Sequence, residues 1–229
     1  VFDKALKLDA NYPECLSNFA QSLKELGNLD IALRVIEHAN HIEPNNSYYL
    51  NIIGEIQLAK VDYKSAKETF EKAMAIDNCI PAYINLSTTL KQLGHHRKAK
   101  ACLQKVIKHE PNNSEAHHHL GVLQEQLGEF DSAATSFRIA LKHTPNHASS
   151  FYQLAKLKNQ MLKAEEVKKI TELLADSATP SVFKTSLLFA LAVNFDKSKQ
   201  YAFAIKNYAY AQQIKAEKCP YNSKLTEQY

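Results

Sequence analysis

LGEFDSA, at residues 127–133, decides the fold, because close variants of it recur along the 229-residue chain. The variants are LGNLDIA at 26–32, AKVDYKSA at 59–66, LGHHRKA at 93–99 and KQYAFA at 199–204. The first four segments in chain order end at Ala32, Ala66, Ala99 and Ala133, with spacings of 34, 33 and 34 residues. A fixed period of this length is typical of proteins built from stacked structural repeats.

The five glycines of the chain fall into only two positions of this period. Gly54 and Gly121 lie in the middle of a predicted helix, where a small residue allows a second helix to approach closely. The other three lie in predicted turns, where a left-handed backbone favours glycine: Gly27, Gly94 and Gly128. This sorting supports a repeat of two helices joined by a tight turn.

Apolar residues within each repeat recur at steps of three and four, which predicts amphipathic helices, and no segment alternates with period two. The period, the alanines and the turn glycines together resemble the tetratricopeptide repeat family. The resemblance implies an all-α fold, namely a right-handed superhelical solenoid of antiparallel helix pairs with a concave groove.

The period divides the chain into six repeats and two end segments. The predicted units are a lone helix at 1–12, repeats at 13–46, 47–79, 80–113 and 114–147, a degenerate repeat at 148–184, a repeat at 185–217 and a tail or linker at 218–229. In the last repeat we expect Tyr201 and Tyr208 to fill core positions. Because the chain begins without Met and in the middle of a repeat, we expect a fragment of a longer protein.

The charge balance argues against a nucleic-acid partner. The net charge is only +4, from 28 basic and 24 acidic residues, which falls short of a basic binding stripe. Basic residues near the start of the second helix of the degenerate repeat alternate with acidic ones, as in a solvated helix face: Lys163, Glu165, Glu166, Lys168 and Lys169.

The sequence also predicts a cytoplasmic protein without a membrane span. No apolar run reaches the roughly 18 residues that a spanning helix needs. The four cysteines are scattered and form no Cys-x-x-Cys pair: Cys15, Cys79, Cys102 and Cys219. Such cysteines are typical of reduced thiols in a reducing compartment.

The first helix of each repeat lines the concave groove in this family, so its outward side chains are the predicted ligand contacts. The predicted peptide-binding residues are Asn18, Gln21, Tyr48, Asn51, Glu55, Asn85, Thr88, His118, His119, Tyr152, Gln153 and Lys156. Their amide, hydroxyl and imidazole groups suit the backbone of an extended peptide or partner protein. The alternative for any one of them is a polar residue that only keeps the groove solvated.

An asparagine ladder is a known feature of the repeat region of O-linked N-acetylglucosamine transferases. Asn18 and Asn85 occupy the position that forms this ladder. Ile52 and His119 occupy the same groove-facing position in two other repeats and interrupt it. The resemblance to those transferases is therefore partial.

Catalytic and metal-binding chemistry has little support in the sequence. Zinc needs ligands on one helix face, whereas His117, His118 and His119 are consecutive and spread about 100° apart. We interpret them as packing and groove residues, and we predict no metal and no cofactor. No Ser–His–Asp or Cys–His–Asn signature is present, and no glycine follows Gly128 to form a phosphate loop. We therefore expect that this chain is not itself an enzyme.

The end of the chain carries a second resemblance. Residues 187–217, LLFALAVNFDKSKQYAFAIKNYAYAQQIKAE, followed by Pro220-Tyr221-Asn222, are similar to the last repeat and link of bacterial proteins that join a tetratricopeptide array to a sulfotransferase domain. The resemblance implies a substrate-recruiting arm of a sulfotransferase, or of another protein-modifying transferase, whose catalytic domain is not in this chain.

Two functional hypotheses follow from the sequence. In the first, the chain is a protein-interaction scaffold that binds an extended peptide or partner protein in its groove. In the second, it is the recruiting arm of the transferase. Phe203, Tyr210 and Ile214 in the last helix are apolar, so they would either cap the array or dock a neighbouring domain, and exposed ends of the array would also serve a homodimer.

Overall fold

The computed structural model describes residues 12–218, and within them the chain forms twelve helices and no strand. The helices are α1 Pro13–Glu25, α2 Leu29–Ile42, α3 Ser47–Ala59, α4 Tyr63–Ile76, α5 Ile80–Gln92, α6 His96–His109, α7 Ser114–Gln126, α8 Phe130–His143, α9 Ala148–Lys156, α10 Ala164–Ala175, α11 Ser181–Lys197 and α12 Tyr201–Lys218. The predicted fold class, an all-α repeat fold of antiparallel helix pairs, is confirmed.

The chain divides into two compact units, Val1–Pro111 and Asn112–Tyr229, here called unit 1 and unit 2. In unit 1, α1 packs on α2, α3 on α4 and α5 on α6. In unit 2, α7 packs on α8 and α11 on α12, and α9 lies against both α8 and α11. The repeat limits stay a prediction, and the lone helix at 1–12 and the tail at 218–229 fall almost wholly outside the described residues.

The alanines that define the period are buried completely. They are Ala32, Ala66, Ala99 and Ala133, each with 0% of its surface exposed. A methyl side chain at this position lets the second helix of each repeat lie close to its neighbours, so a larger residue there would overpack the core.

Five turns between paired helices share one geometry, the Schellman motif. In the first of them, Asn28 N donates to Leu23 O at 2.9 Å and Gly27 N donates to Lys24 O at 3.0 Å. The left-handed residues of the five turns are Gly27, Val61, Gly94, Gly128 and Lys199, with φ of 80°, 65°, 76°, 78° and 61°. The predicted turn role of the three glycines is confirmed, and two turns adopt the same geometry without glycine.

Gly54 and Gly121 allow a phenylalanine ring of the following helix to lie against the backbone. A Cβ atom on Gly54 would lie 2.5 Å from Cε1 of Phe70, and one on Gly121 would lie 2.7 Å from Cε1 of Phe137. Both phenylalanines are completely buried. The predicted close approach of helices at these glycines is confirmed.

The loop between α9 and α10 is held by two side chains of α11. Lys197 Nζ donates to Leu157 O at 2.6 Å and to Gln160 O at 3.0 Å. Asn194 Oδ1 accepts a hydrogen bond from Leu162 N at 3.0 Å. These bonds satisfy backbone groups that a helix end leaves without partners, so the loop needs no turn glycine.

Three sequence predictions about side-chain placement are wrong. Tyr201 and Tyr208 are 57% and 36% exposed, because Ala204, Ala211 and other α12 residues fill the contacts with α11 instead. Ile52, expected in the groove, is only 1% exposed, because it belongs to the apolar core of unit 1.

Within residues 12–218, no helix combines the length and the apolar character that crossing a lipid bilayer requires.

Candidate functional site

Three of the predicted contacts of unit 1, Asn51, Glu55 and Asn85, form a hydrogen-bonded network with Lys24 across α1, α3 and α5. Asn85 Nδ2 donates to Asn51 Oδ1 at 3.0 Å and to Glu55 Oε1 at 3.1 Å. Asn51 Nδ2 donates to the same Glu55 oxygen at 2.8 Å, and Lys24 pairs with the other oxygen. We call Lys24, Asn51, Glu55 and Asn85 the unit 1 network. It joins three helices and engages both oxygens of the carboxylate.

Burial separates supporting residues of this face from accessible ones. Asn51 is only 5% exposed, so its amide orients its neighbours. The two N–H bonds of Asn85 use both of its donors, and no described residue donates to its Oδ1. Asn18 is exposed, and its side chain has no hydrogen-bond partner among residues 12–218. Thr88 Oγ1 makes a weak bond to Ile84 O of its own helix at 3.4 Å.

A cavity of about 290 Å³ lies between α1 and the start of α3. Its lining consists of Glu14, Ser17, Asn18, Asn46, Tyr48 and Tyr49. The Tyr48 hydroxyl accepts a hydrogen bond from Gln21 Nε2 at 3.0 Å, and the tyrosine is 46% exposed. The predicted residues Gln21 and Tyr48 therefore meet across α1 and α3, next to a polar cavity.

Glu115 is the centre of a second cluster, in unit 2. Its Oε1 lies 3.1 Å from His119 Nε2, and its Oε2 lies 3.1 Å from His147 Nε2. The hydrogen bond from His119, followed by that from His147, holds the pKa of the Glu115 carboxyl well below its ordinary value. The carboxylate therefore stays ionised at neutral pH and connects α7 to the start of α9.

Ser150 connects the same cluster to His118. The Ser150 hydroxyl lies 2.9 Å from His118 Nδ1 and 2.8 Å from His147 Nδ1. Ser150 N also donates to His147 Nδ1 at 3.2 Å, which makes that nitrogen an acceptor and leaves the proton on Nε2, facing Glu115. His118 is 9% exposed, so its imidazole joins α7 to α9 and presents little surface to a ligand.

The order Ser150, His147, Glu115 resembles a hydrolase triad, but its chemistry does not fit one. Ser150 is completely buried, so no substrate carbonyl can reach its hydroxyl. His147 Nδ1 already accepts the Ser150 amide hydrogen, which weakens it as a general base. We interpret the cluster as a polar joint between helices.

The other predicted contacts of unit 2 lie beside aromatic rings. The ring centroids of Tyr152 and Phe189 are 6.1 Å apart, as are those of Phe189 and Tyr208. Lys156 Nζ lies 5.4 Å from the Tyr152 ring centroid and 3.3 Å from Gln153 Oε1. This face joins α9, α11 and α12 and combines a cation, an amide and three aromatic rings.

Sequence reasoning missed several members of both sites. His147 and Ser150 lie at the start of α9 and Phe189 lies in α11, and none of the three is among the predicted contacts. Lys24 and Glu55 lie 31 residues apart in the sequence. Two opposite charges separated by about one repeat length can meet on adjacent repeats, and this spacing was the signal in the sequence that could have predicted the ion pair.

The histidines and cysteines form no compact set of metal ligands in the described part of the chain. No group of three His, Cys, Asp or Glu side chains among residues 12–218 has the geometry to hold a metal ion. Cys15, Cys79 and Cys102 are free thiols. Burial raises the pKa of Cys79 and Cys102, which lowers their reactivity as thiolates.

Comparison with family models identifies the repeats. Residues 47–78 and residues 84–151 each match a model described as tetratricopeptide repeat. The chain therefore contains tetratricopeptide repeats, as the sequence resemblance predicts. No curated protein matches the sequence.

Several solved structures share the fold. YrrB, described as a tetratricopeptide repeat protein with an unusual peptide-binding site, is 22% identical, with 90% of this chain and 96% of that chain covered and a TM-score of 0.52. PilF of Pseudomonas aeruginosa is 16% identical, with 94% and 95% covered and a TM-score of 0.61. Identities this low establish the shared fold and nothing further.

Human IFIT1, solved as a dimer with m7Gppp-AAAA, also has this fold. It is 19% identical with a TM-score of 0.74, and the superposition covers 93% of this chain and 53% of the IFIT1 chain. This chain thus spans about half of the IFIT1 chain. Because a structure with this fold contains a nucleotide ligand, the expectation that this chain binds no nucleic acid stays a prediction.

Proposed function

We propose that this chain is a protein-interaction scaffold that binds an extended peptide, or an extended segment of a partner protein, along α1, α3 and α5. The observation that carries the proposal is the unit 1 network, which fixes the amides of Asn51 and Asn85 on adjacent helices. A fixed amide loses little entropy when a peptide backbone bonds to it. Asn18 and Tyr48 add exposed polar groups beside the cavity.

The residues differ in the role that we assign to them. Direct contacts in unit 1 are Asn18, Gln21, Tyr48, Asn85 and Thr88. The predicted contacts of unit 2 are proposed separately as ligand contacts of that unit: His119, Tyr152, Gln153 and Lys156. Asn51, Glu55 and His118 act mainly by orienting these contacts, because their polar atoms are already bonded to neighbouring helices.

The test begins with peptides selected from a random phage-displayed library on the intact chain. Isothermal titration then compares the chain with the double variant Asn18→Ala plus Asn85→Ala. Each lost hydrogen bond contributes about 0.5–1.5 kcal/mol, so we expect a loss of affinity of about 5- to 150-fold. Gln104→Ala, which removes an exposed amide of α6, is the control and should bind normally. Unchanged binding by the double variant would place the ligand on another surface.

A second proposal is the recruiting arm of a sulfotransferase or other protein-modifying transferase. It rests on the resemblance of residues 187–217 and on the exposed apolar side chains of α12, which suit a docked neighbouring domain. The test is to express the complete native polypeptide and measure transfer of labelled sulfate from the donor 3′-phosphoadenosine 5′-phosphosulfate to protein. Absence of a donor-binding domain from that polypeptide would eliminate this proposal and leave the scaffold.

We further propose a cytoplasmic location. The support is the free state of Cys15, Cys79 and Cys102, which suits a reducing compartment. Immunofluorescence of the native protein with compartment markers tests this directly.

A further inference from the structure

A second cavity of unit 2 lies between α8, α9 and the beginning of α10, and none of the predicted groove residues lines it. Its volume is about 280 Å³, and it opens to solvent. Leu141 and Phe151 line its apolar floor, and both are buried. Typical small-molecule sites have volumes of about 300–1,000 Å³, so this one suits a group of the size of a single side chain.

Positive charge dominates the rim of this cavity. Four cations line it, from α8 and from the start of α10: Arg138, Lys142, Lys163 and Lys169. The lining contains only two carboxylates, those of Glu165 and Glu166. Two positive charges are therefore in excess around an apolar floor.

The carboxylate of Glu166 is fully engaged. Its Oε1 accepts from Arg138 Nε at 2.9 Å, and its Oε2 accepts from Lys163 N at 2.7 Å. These bonds fix the guanidinium at the edge of the cavity, because Arg138 also donates from a terminal nitrogen to Met161 O at 3.4 Å. The Arg138 side chain is thus positioned before any ligand arrives.

The lysines, in contrast, are free to turn towards a ligand. Lys142 has no ion-pair or hydrogen-bond partner among the described residues. Lys163 lies 3.7 Å from Glu165, and Lys169 lies 3.8 Å from Glu172, in pairs whose side chains are all at least 42% exposed. Exposed pairs of this length contribute little and exchange readily.

We propose that this cavity binds an aryl phosphate, the chemistry of a phosphotyrosine side chain in a partner polypeptide. A phosphate monoester carries a charge of about −1.5 to −2 at neutral pH, which matches the two excess positive charges, and offers three acceptor oxygens to the cations. The aromatic ring lies over Leu141 and Phe151. Because the cavity opens to solvent, the phosphotyrosine side chain enters it while the backbone of the partner polypeptide stays outside.

The first experiment titrates phenyl phosphate into the ¹⁵N-labelled intact chain and follows amide chemical shifts. We expect saturable shifts at the amides of α8 and α10 around the cavity, and weaker binding of inorganic phosphate and of phenol. Lys142→Glu should lower the affinity for phenyl phosphate by at least about tenfold, because it replaces a charge-assisted contact by a repulsive one. Its side chain has no partner to lose, so the fold is retained.

Lys72→Glu is the matched control, since it makes the same change of net charge at an exposed lysine of α4 in unit 1. An equal loss of affinity in both variants would overturn the proposal, because it means non-specific attraction. Binding of inorganic phosphate as tight as that of phenyl phosphate would overturn it for the same reason. A phosphotyrosine peptide should bind more tightly than free phenyl phosphate. Tighter binding of the free compound would overturn the assignment to a polypeptide ligand.

Discussion

Val61 is a β-branched residue in a backbone conformation that favours glycine. Its φ of 65° puts it in the same turn position as Gly27 and Gly94. A left-handed backbone costs an L-residue about 1–2 kcal/mol, whereas glycine loses about 0.5–1 kcal/mol more entropy on folding. Since Val61 is 64% exposed and packs little, we predict that Val61→Gly raises the free energy of unfolding by about 0.5–1 kcal/mol in urea denaturation. The reverse change, Gly94→Val, should lower it, and identical midpoints for the three proteins would refute the strain at Val61.

Glu115 gives the protein an acid-sensitive term in its stability. Hydrogen bonds from His119 and His147 lower the pKa of this carboxyl below its ordinary value of 4.5. A carboxyl whose pKa is lowered by folding stabilises the folded state fully above its unfolded pKa and loses that effect as the pH falls further. We therefore predict that Glu115→Gln is less stable than the native chain at neutral pH and that the gap narrows below pH 4.5.

Urea denaturation at a series of pH values measures this gap. Glu125→Gln, on the same helix, serves as the control and should follow the native chain at every pH. A gap of constant size between neutral and acidic pH would show that Glu115 contributes through packing and not through its charge.

Single residues were predictable where one physical constraint dominates. The turn glycines follow from a left-handed backbone and the mid-helix glycines from the rings of Phe70 and Phe137. Val61 could not be predicted, because nothing local favours its conformation and the two flanking helices impose it. The pairing of Glu115 with His147 could not be predicted, because the two residues lie 32 positions apart in the sequence and only the packing of α9 on its neighbours brings them together.

At the scale of the helix, α9 depends on its first hydrogen bonds because it has only nine residues. His147 Nδ1 accepts from Ser150 N and so acts as the N-cap. We predict that His147→Ala lowers the free energy of unfolding by about 0.5–2 kcal/mol, whereas His147→Asn retains most of it, since asparagine is a strong N-cap. Hydrogen exchange of the α9 amides, with urea denaturation, distinguishes the two variants. Equal losses would assign the effect to the lost bond with Glu115.

The early end of α9 is a helix boundary that the apolar pattern of the sequence does not predict. The apolar pattern of the degenerate repeat continues beyond Lys156, yet the helix ends there. Lys197 and Asn194 bond the following loop from α11, and Lys197 lies 40 residues from Leu157 in the chain. Periodicity reports local helix preference, so it cannot reveal a distant side chain that stabilises the open loop.

At the scale of the whole molecule, α12 presents an apolar surface suited to self-association. Its most exposed apolar residues are Tyr201, Phe203, Ile205 and Tyr210, each more than half exposed. Tyr201 and Ile205 lie on one side of the helix, and Phe203 and Tyr210 lie on another, and exposed apolar side chains grouped in this way commonly mark an interface. We predict a concentration-dependent mass above 25.8 kDa in sedimentation velocity, which Phe203→Ser with Ile205→Ser should reduce. Val182→Ser, at an exposed site of α11, should leave the mass unchanged, and a monomer at every concentration would refute the interface.

The fold could be predicted from the sequence because the same pattern of small and apolar residues recurs in successive repeats. The two sites were less accessible, since each depends on side chains from several helices. Repeat positions predict Asn85 and Tyr48 as groove residues, but they do not predict which polar groups bond each other. The basic cavity was hidden, because Arg138 and Lys163 look like parts of separate solvated helices until α8 and α10 are brought together.

The bonds from Lys197 to the loop after α9 also bear on how the protein is made. Leu157 leaves the ribosome 40 residues before Lys197 does, which at about 5–20 residues per second is an interval of several seconds. During that interval, water must occupy the loop carbonyls, and α9 has no partner to define its end. The middle of unit 2 therefore reaches its final form only after α11 has been synthesised.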